Sequence, residues 1–557
     1  MDLDRYLAPF QARRLPLYRF DVVVVGSGAA VLPAAMAAAS AGGSVALLAK
    51  DVLSETNTNY AQGGVAAVLG ADDSFEAHVA DTLRVGCGLC EPDTVEQVVR
   101  GGPETVRRLI EWGARFDCEE GGALDLSREG GHSKRRIVHA GGAATGLEIQ
   151  RTLVDAVRRH PDVMLFDHTF AIDLLSASDG RVIGVLCQTE RGELVAFSAG
   201  QVILATGGAG QVYRETTNPA IATGDGIAMA FRAGARIRDL EFFQFHPTCL
   251  YIAGAARVLV SEIVRGAGGI LRDKDGVRFM PEYHPSAELA PRDVVSRACF
   301  DRMVKTADTS VYLDLSDLES DPHRLFPGIG RICGYFRIDI AKDPIPVRPG
   351  AHYLIGGIRS DIDGRTGVAG LWAVGECASS GLHGANRMGS NSLLEGLVLG
   401  ARAGERAALE ANGIPLIPLD KHLRPQRPEP PADVRVSIED MTYSLKALMW
   451  RQMGIVREGS AIEDALAKIR FWTRAVQRLA RGEPRAWELM NMLTLASLAA
   501  QAALAREESR GTHHRSDAPQ ALEAWRVHTI LAPIFEGGRI RGAELAREPV
   551  GDSVAAR

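Results

Sequence analysis

A chain of 557 residues is too long for one hydrophobic core, so two to four domains are expected. Its net charge of −6 is distributed without blocks of like sign, which excludes a nucleic-acid footprint and a basic membrane-binding face. Eight cysteines over that length form no disulfide framework and the opening residues carry no apolar stretch of the secretory kind, so a reducing cytoplasm is the expected compartment.

The first informative stretch is 20–50, FDVVVVGSGAAVLPAAMAAASAGGSVALLAK. It predicts a buried strand over 21–25, a turn at Gly26-Ser27-Gly28, an alanine-rich helix and a second strand over 44–49. This is the opening βαβ of a nucleotide-binding sheet. Gly26 permits the tight turn, and Gly28, followed by Ala29 and Ala30, admits a pyrophosphate to the helix N-terminus. A membrane span is the alternative for so apolar a run, but the glycine turn and Pro33 cut it below spanning length. The third glycine of the dinucleotide fingerprint is replaced by Val31, whose branched side chain requires small partners such as Ala34 and Ala35.

A polar loop follows, NTNYAQGG at 57–64, expected to fold its backbone over a ligand. Residues 75–115 read as short amphipathic helices broken at Gly101-Gly102-Pro103. The CxxC pair Cys87 and Cys90 has no second pair or neighbouring histidine, and its reading is structural. Residues 127–136, SREGGHSKRR, are too glycine-rich for a helix. A helix over 147–159 precedes a meander of strands over 163–205, which runs into Gly207-Gly208. From 239 to 350 His, Arg and acidic residues become dense and Pro281, Pro285 and Pro291 interrupt the pattern, as in an inserted domain. A third apolar strand ends at Gly375-Glu376, followed by a glycine loop and a helix over 392–404. A proline-rich linker at 425–431 leads to a last unit of long helices over 436–535, with a frayed tail beyond 540. Three strand–glycine junctions, at 25–28, 206–208 and 374–376, are more specific than one. A single fingerprint suffices for NAD, whereas a flavin dinucleotide is long enough to be gripped at several points, so FAD is the expected cofactor.

The motifs GSGAA, AQGG, ATGG, GDGIAMA (224–230), QFHPT (244–248), PRD (291–293), AHY (351–353), GANRMGSNSLLE (384–395) and ESRG (508–511) together resemble the L-aspartate oxidase family, within the succinate dehydrogenase and fumarate reductase flavoproteins. The resemblance implies an α/β fold: a Rossmann-like FAD-binding domain (1–238 with 351–422), an inserted α+β capping domain (239–350) and a C-terminal helical bundle (423–557). It implies oxidation of L-aspartate to iminoaspartate, by hydride transfer from Cα to flavin N5, for quinolinate and NAD synthesis. O2 or fumarate would reoxidise the flavin, and quinolinate synthase is a candidate partner. Asn57 stands where succinate dehydrogenases carry the histidine that tethers FAD, which implies a non-covalent cofactor.

Glu129 is the residue that selects among relatives, since an anion in a dicarboxylate site helps only if the substrate also bears a cation. By the same resemblance His352 and Arg387 clamp one carboxylate, while His246 and Ser261, with Gln244 alongside, hold the other. Arg292 is the acid/base candidate; because a guanidinium stays protonated in proteins, Glu262 and Arg265 are its relay neighbours. Ser392 and Leu393 open a helix toward the flavin, and Glu376 is placed for ribityl or ribose hydroxyls. Asp225, Lys50 and the loop residues Asn57, Thr58, Ala61, Gln62, Gly63 and Gly64 complete the cofactor set. Ala143 and Ala267 replace acidic residues common in the family. Two alternatives are a fumarate reductase or succinate dehydrogenase flavoprotein, and a degenerate FAD-binding protein kept for assembly.

Overall fold

The computed structural model describes residues 2–252, 258–419, 423, 437–479 and 482–551; the expected linker at 425–431 lies outside them. A seven-stranded sheet carries the cofactor end of the molecule. Its parallel part runs Val163–Phe166, Val45–Leu48, Leu17–Val25, Leu194–Leu204 and Leu371–Ala373, extended on one side by the antiparallel strands Val182–Gln188 and Phe170–Ser176. Valine, isoleucine and leucine fill these strands because the parallel part is covered on both faces. The register aligns the glycine junctions. Leu204 pairs with both Val25 and Ala373, and Val25 pairs with Leu48. The turns after Val25, Leu204 and Ala373, and Lys50 beyond Leu48, therefore open along one carboxyl edge, where α/β sheets bind ligands.

The helix Val31–Ser40 is ten residues long, far below a membrane span. It packs against Asn391–Ala411 at close range: a Cβ on Gly400 would lie 2.3 Å from the Ala30 carbonyl oxygen, and one on Gly404 2.0 Å from that of Ala34. The close approach normally granted by the fingerprint's third glycine is thus supplied from the opposing helix, and Val31 is fully buried. Val31→Gly is expected to keep FAD but to cost about 3 kcal/mol of stability, from a cavity plus a helical glycine, read as a lowered Tm at unchanged flavin content.

Two local expectations are corrected. The segment 92–111 is one continuous helix through Pro103. Its buried stripe (Val95, Val98, Val99, Val106, Leu109) and the close seating of Gly101 on Val398 outweigh the roughly 3 kcal/mol cost of an interior proline. The C-terminal region is helical only to Ala505. The helices Ile438–Gln452, Gly459–Leu479 and Pro484–Ala505 pack together, and a β-hairpin follows: Val527–Glu536 where helix was expected to 535, and Arg539–Pro549 where a frayed tail was expected beyond 540. Gly537 and Gly538, at φ +59° and +81°, form its two-residue turn between Glu536 and Arg539, as a type I′ hairpin requires. The hairpin pairs with Ile237–Arg238 on one side and Leu3–Asp4 on the other, completing a six-stranded sheet. His528 on it is fully buried between Asp239 (2.5 Å) and Glu91 (3.0 Å), and these carboxylates hold its imidazole above the usual pKa against the cost of burial. Pro484–Ala505 is, among the described residues, the one helix long and apolar enough to cross a membrane, and 78% of that apolar window is buried inside the fold.

Residues 243–354 build a four-stranded antiparallel sheet, Phe243–Leu250, Ile345–Leu354, Val311–Asp314 and Ile270–Arg272, with the helix Arg292–Thr306 packed on it. Its first and last strands pair directly, so the chain leaves and rejoins the cofactor sheet side by side.

Candidate active site

A cavity of about 560 Å³ runs from the Gly26–Ala30 turn to the face of the four-stranded sheet. At its first end Gly26 has φ +126°, and a Cβ there would sit 2.4 Å from the Ala205 carbonyl oxygen. The Gly26 amide donates to the Leu48 carbonyl and the Ala205 amide to that of Val25, so the turn is locked to the strands on both sides. The Thr58 hydroxyl accepts from the Ala29 amide at 3.0 Å, which ties the 57–64 loop over the helix start. That helix has no acidic residue in its first turn and no side-chain cap, so its positive end is free for phosphate. Ser27, Gly28, Ala30, Ala61, Gln62, Gly63, Gly64, Ser392 and Leu393 also line the cavity, and around a Cβ built on Gly207 there is open space.

Glu376 lines the middle of the cavity. Its carboxylate accepts from the Leu354 amide (3.0 Å) and from the Asn57 side-chain amide (3.2 Å), and burial pushes it up to about 7. An elongated cavity with glycine turns, an uncapped helix N-terminus and a carboxylate acceptor between its ends fits a dinucleotide with hydroxyl-bearing linkers. Lys50 and Asp225 reach the same cavity already paired at 2.8 Å. Lys50 also meets Glu488 at 2.5 Å and Asp225 accepts from Asn491, both on Pro484–Ala505. Burial works against the Lys50 charge, and Asp225 and Glu488 outweigh it and hold its pKa above the usual value.

The far end is dense in charge. Arg387 lies over the Tyr353 ring, donates to the Ser392 hydroxyl (2.6 Å) and to the Gln244 carbonyl oxygen (3.3 Å), and keeps its buried Nε without a partner. Burial, together with the Arg292 charge, brings its guanidinium down to about 10. Arg292, at the start of its helix, donates from Nε to Glu262 (2.8 Å) and from Nη1 to Gln244 (3.2 Å). Burial would raise the Glu262 carboxyl, but Arg292 and Arg265 hold it below its usual value.

His246 and His352 stand edge to face, 5.3 Å between ring centres, and burial and the Arg292 cation keep both neutral, well below an ordinary histidine pKa. Nδ1 of His246 accepts from the Thr248 amide at 3.3 Å, which assigns the ring proton to Nε2, a buried donor without a partner. Nδ1 of His352 is bonded to the Thr217 hydroxyl at 2.9 Å. Ser261 lines the cavity and caps the short helix Glu262–Gly266.

Glu129 closes this end. A Cβ on Gly389 would lie 2.6 Å from its Oε2 and one on Gly63 3.0 Å from its Oε1, so small residues make its slot. Burial pushes the carboxyl up, Glu262 adds to this, and Arg292, the Ser390 hydroxyl and Arg387 oppose it. The loop bearing it is anchored from behind. Arg136, fully buried, pairs with Asp73 and Asp81 at 2.8 Å each; Asp81 also accepts from the Ser133 amide and hydroxyl; and Nε2 of His132 meets the Gly389 carbonyl.

Two expected site residues do not reach the cavity. Gln244 lies behind its wall, because its amide is consumed in bridging Arg292 and Arg387 and in donating to Asn386 and the Arg387 carbonyl. Arg265 backs Glu262 at 3.5 Å and donates to the Glu288 carbonyl. The sequence reading missed Thr217, which carries no local signal, and Ser390, which sits inside a motif it quoted. Burial raises the Cys87 thiol to about 11 and the Cys90 thiol higher still, so both stay protonated and inert. Among the described residues there is no cluster that could hold a metal ion.

Residues 21–393 match the FAD binding domain family and 442–553 the fumarate reductase flavoprotein C-terminal family. The L-aspartate oxidase of Streptomyces coelicolor is 44% identical over 529 residues, covering 92% of this chain and 91% of that protein. L-aspartate oxidase 1 of Ralstonia nicotianae is 44% identical over 92% of this chain and 98% of its own. Among solved structures, an E. coli quinol fumarate reductase chain superposes with a TM-score of 0.89 at 34% identity, covering 97% of this chain and 98% of that one. The chain carries the cofactor site of a flavoprotein, and it belongs to the L-aspartate oxidase family within the succinate dehydrogenase and fumarate reductase flavoproteins.

Proposed function

We propose that this protein oxidises L-aspartate to iminoaspartate with non-covalently held FAD. The single observation that carries the substrate choice is the buried Glu129 carboxylate set beside two arginines in a pocket for a dicarboxylate. Arg387, through its free Nε, and His352 take one carboxylate of the substrate. Nε2–H of His246 and Ser261 take the other. Glu129 receives the ammonium and is placed to accept the proton released as the C–N bond gains double-bond character. Arg292, fixed by Glu262 and Gln244, orients the bound carboxylate and its charge. FAD, held along the cavity by the Gly26–Ala30 turn, Glu376, Ser392 and Leu393, would supply the acceptor for the hydride from Cα. The buried His246 and the Tyr353 ring, with the half-buried His352 beside them, exclude water from the reacting carbon. Asn57, an amide donating to Glu376, offers no nucleophile for a covalent tether.

O2 or fumarate serves as the electron acceptor in this reading, cytoplasmic quinolinate synthesis receives the product, and quinolinate synthase is the partner to test for direct transfer. The deciding experiment is anaerobic addition of L-aspartate or succinate to the yellow holoenzyme. Bleaching by L-aspartate is expected; bleaching by succinate alone would assign the protein to the succinate and fumarate enzymes.

A further inference from the structure

We infer that Ser390 is a positioning residue for substrate selection, holding Glu129 in the pose and charge state that recognises an α-ammonium group; this rests on the proposed reading of Glu129. Ser390 stands at the N-cap of Asn391–Ala411, where a serine ordinarily accepts a hydrogen bond from the helix's own amides. It makes no such bond. Its backbone sits at φ +61°, a left-handed conformation natural to glycine, and its side chain is turned away from the helix. The hydroxyl instead accepts from the Gly64 amide at 3.2 Å and donates to Oε2 of Glu129 at 2.7 Å. With the Gly64 amide donating to it, the hydroxyl gives its one proton to the carboxylate.

Among the described residues that is the only hydrogen bond the Glu129 carboxylate accepts. The groups facing it from the packed elements are the Glu262 carboxylate, the Arg292 and Arg387 guanidiniums and Ser390 itself. Burial and Glu262 favour the neutral acid, whereas the two arginines and the hydroxyl favour the anion. A neutral Glu129 would still admit a dicarboxylate but would lose its attraction for an ammonium. Removing the hydroxyl removes one of the three groups that favour the anion, so the folded-state pKa rises further. The affinity for L-aspartate is then lost at a higher pH than in the native protein, and it returns as the pH is raised through that value.

Ser390→Gly tests this without backbone strain, since glycine adopts φ +61° freely, and Ser390→Ala provides a second variant. The readouts are KM and kcat for L-aspartate between pH 6.5 and 9, and the dissociation constant of succinate from the flavin spectrum. A rise in KM of roughly tenfold is expected at the low-pH end of that range, as for loss of a hydrogen bond to a charged group, shrinking toward the native value as the pH rises. Succinate affinity should stay within about threefold, so the effect falls on discrimination between the two ligands. An equal weakening of succinate, or a KM ratio constant across the pH range, would overturn the inference. Failure of the native protein to oxidise L-aspartate would instead remove the functional reading on which it rests.

Discussion

Arg292→Lys should lower kcat for L-aspartate oxidation by roughly a thousandfold while FAD remains bound. Arg292 begins the helix Arg292–Thr306 and uses a different face of its guanidinium for each partner: Nε for Glu262, Nη1 for Gln244. Gln244 also accepts from Arg387, so the two guanidiniums are spaced by one amide. A lysine ammonium has no planar fork. It satisfies Glu262 as a point charge and gives up the bond to Gln244, which stays held by Arg387 and Asn386, so the amide no longer sets the spacing between the two cations. The cofactor end of the cavity is built on other elements, so flavin content is the internal control. Turnover and the absorbance of the bound flavin measured on the same preparation decide the matter, and near-native kcat would remove Arg292 from the reaction.

Glu129→Gln should raise KM for L-aspartate by about a hundredfold, equivalent to roughly 3 kcal/mol for a buried ammonium left without its anion. Succinate binding should hold or tighten, because the like charge facing the dicarboxylate is gone. The substitution is nearly isosteric, and the slot formed by Gly63 and Gly389 should accept it. A KM for L-aspartate within threefold of native would show that the ammonium is held elsewhere.

Features written in short contiguous stretches were legible in the sequence. The strand–glycine junctions are local, and their shared ligand followed from their number; the register of Val25, Leu204 and Ala373 supplies the geometry beneath that reading. The proposed substrate residues at 246, 292, 352 and 387 could be gathered only through resemblance, since they come from four separate elements. What was misread depended on tertiary context. Pro103 looked like a break because its helix is held by packing rather than by propensity. The hairpin escaped notice although Gly537-Gly538 is a strong turn signal, because its first strand was read as the end of the helical unit and its second as a frayed tail. The Lys50–Asp225 pair joins residues 175 positions apart, and Gln244 is withdrawn from the cavity by two arginines that neither position reveals.

The anchoring of the 127–136 segment has a kinetic meaning. Arg136 is buried between two aspartates, and the same Asp81 holds Ser133, so the segment has few alternative conformations to sample. Glu129 is therefore in place before any ligand arrives. On the proposed reading of Glu129, discrimination for or against an amine would fall at first encounter, with no ordering of this segment needed first. The entropy of ordering that segment is settled once, when the chain folds, and does not recur at each turnover.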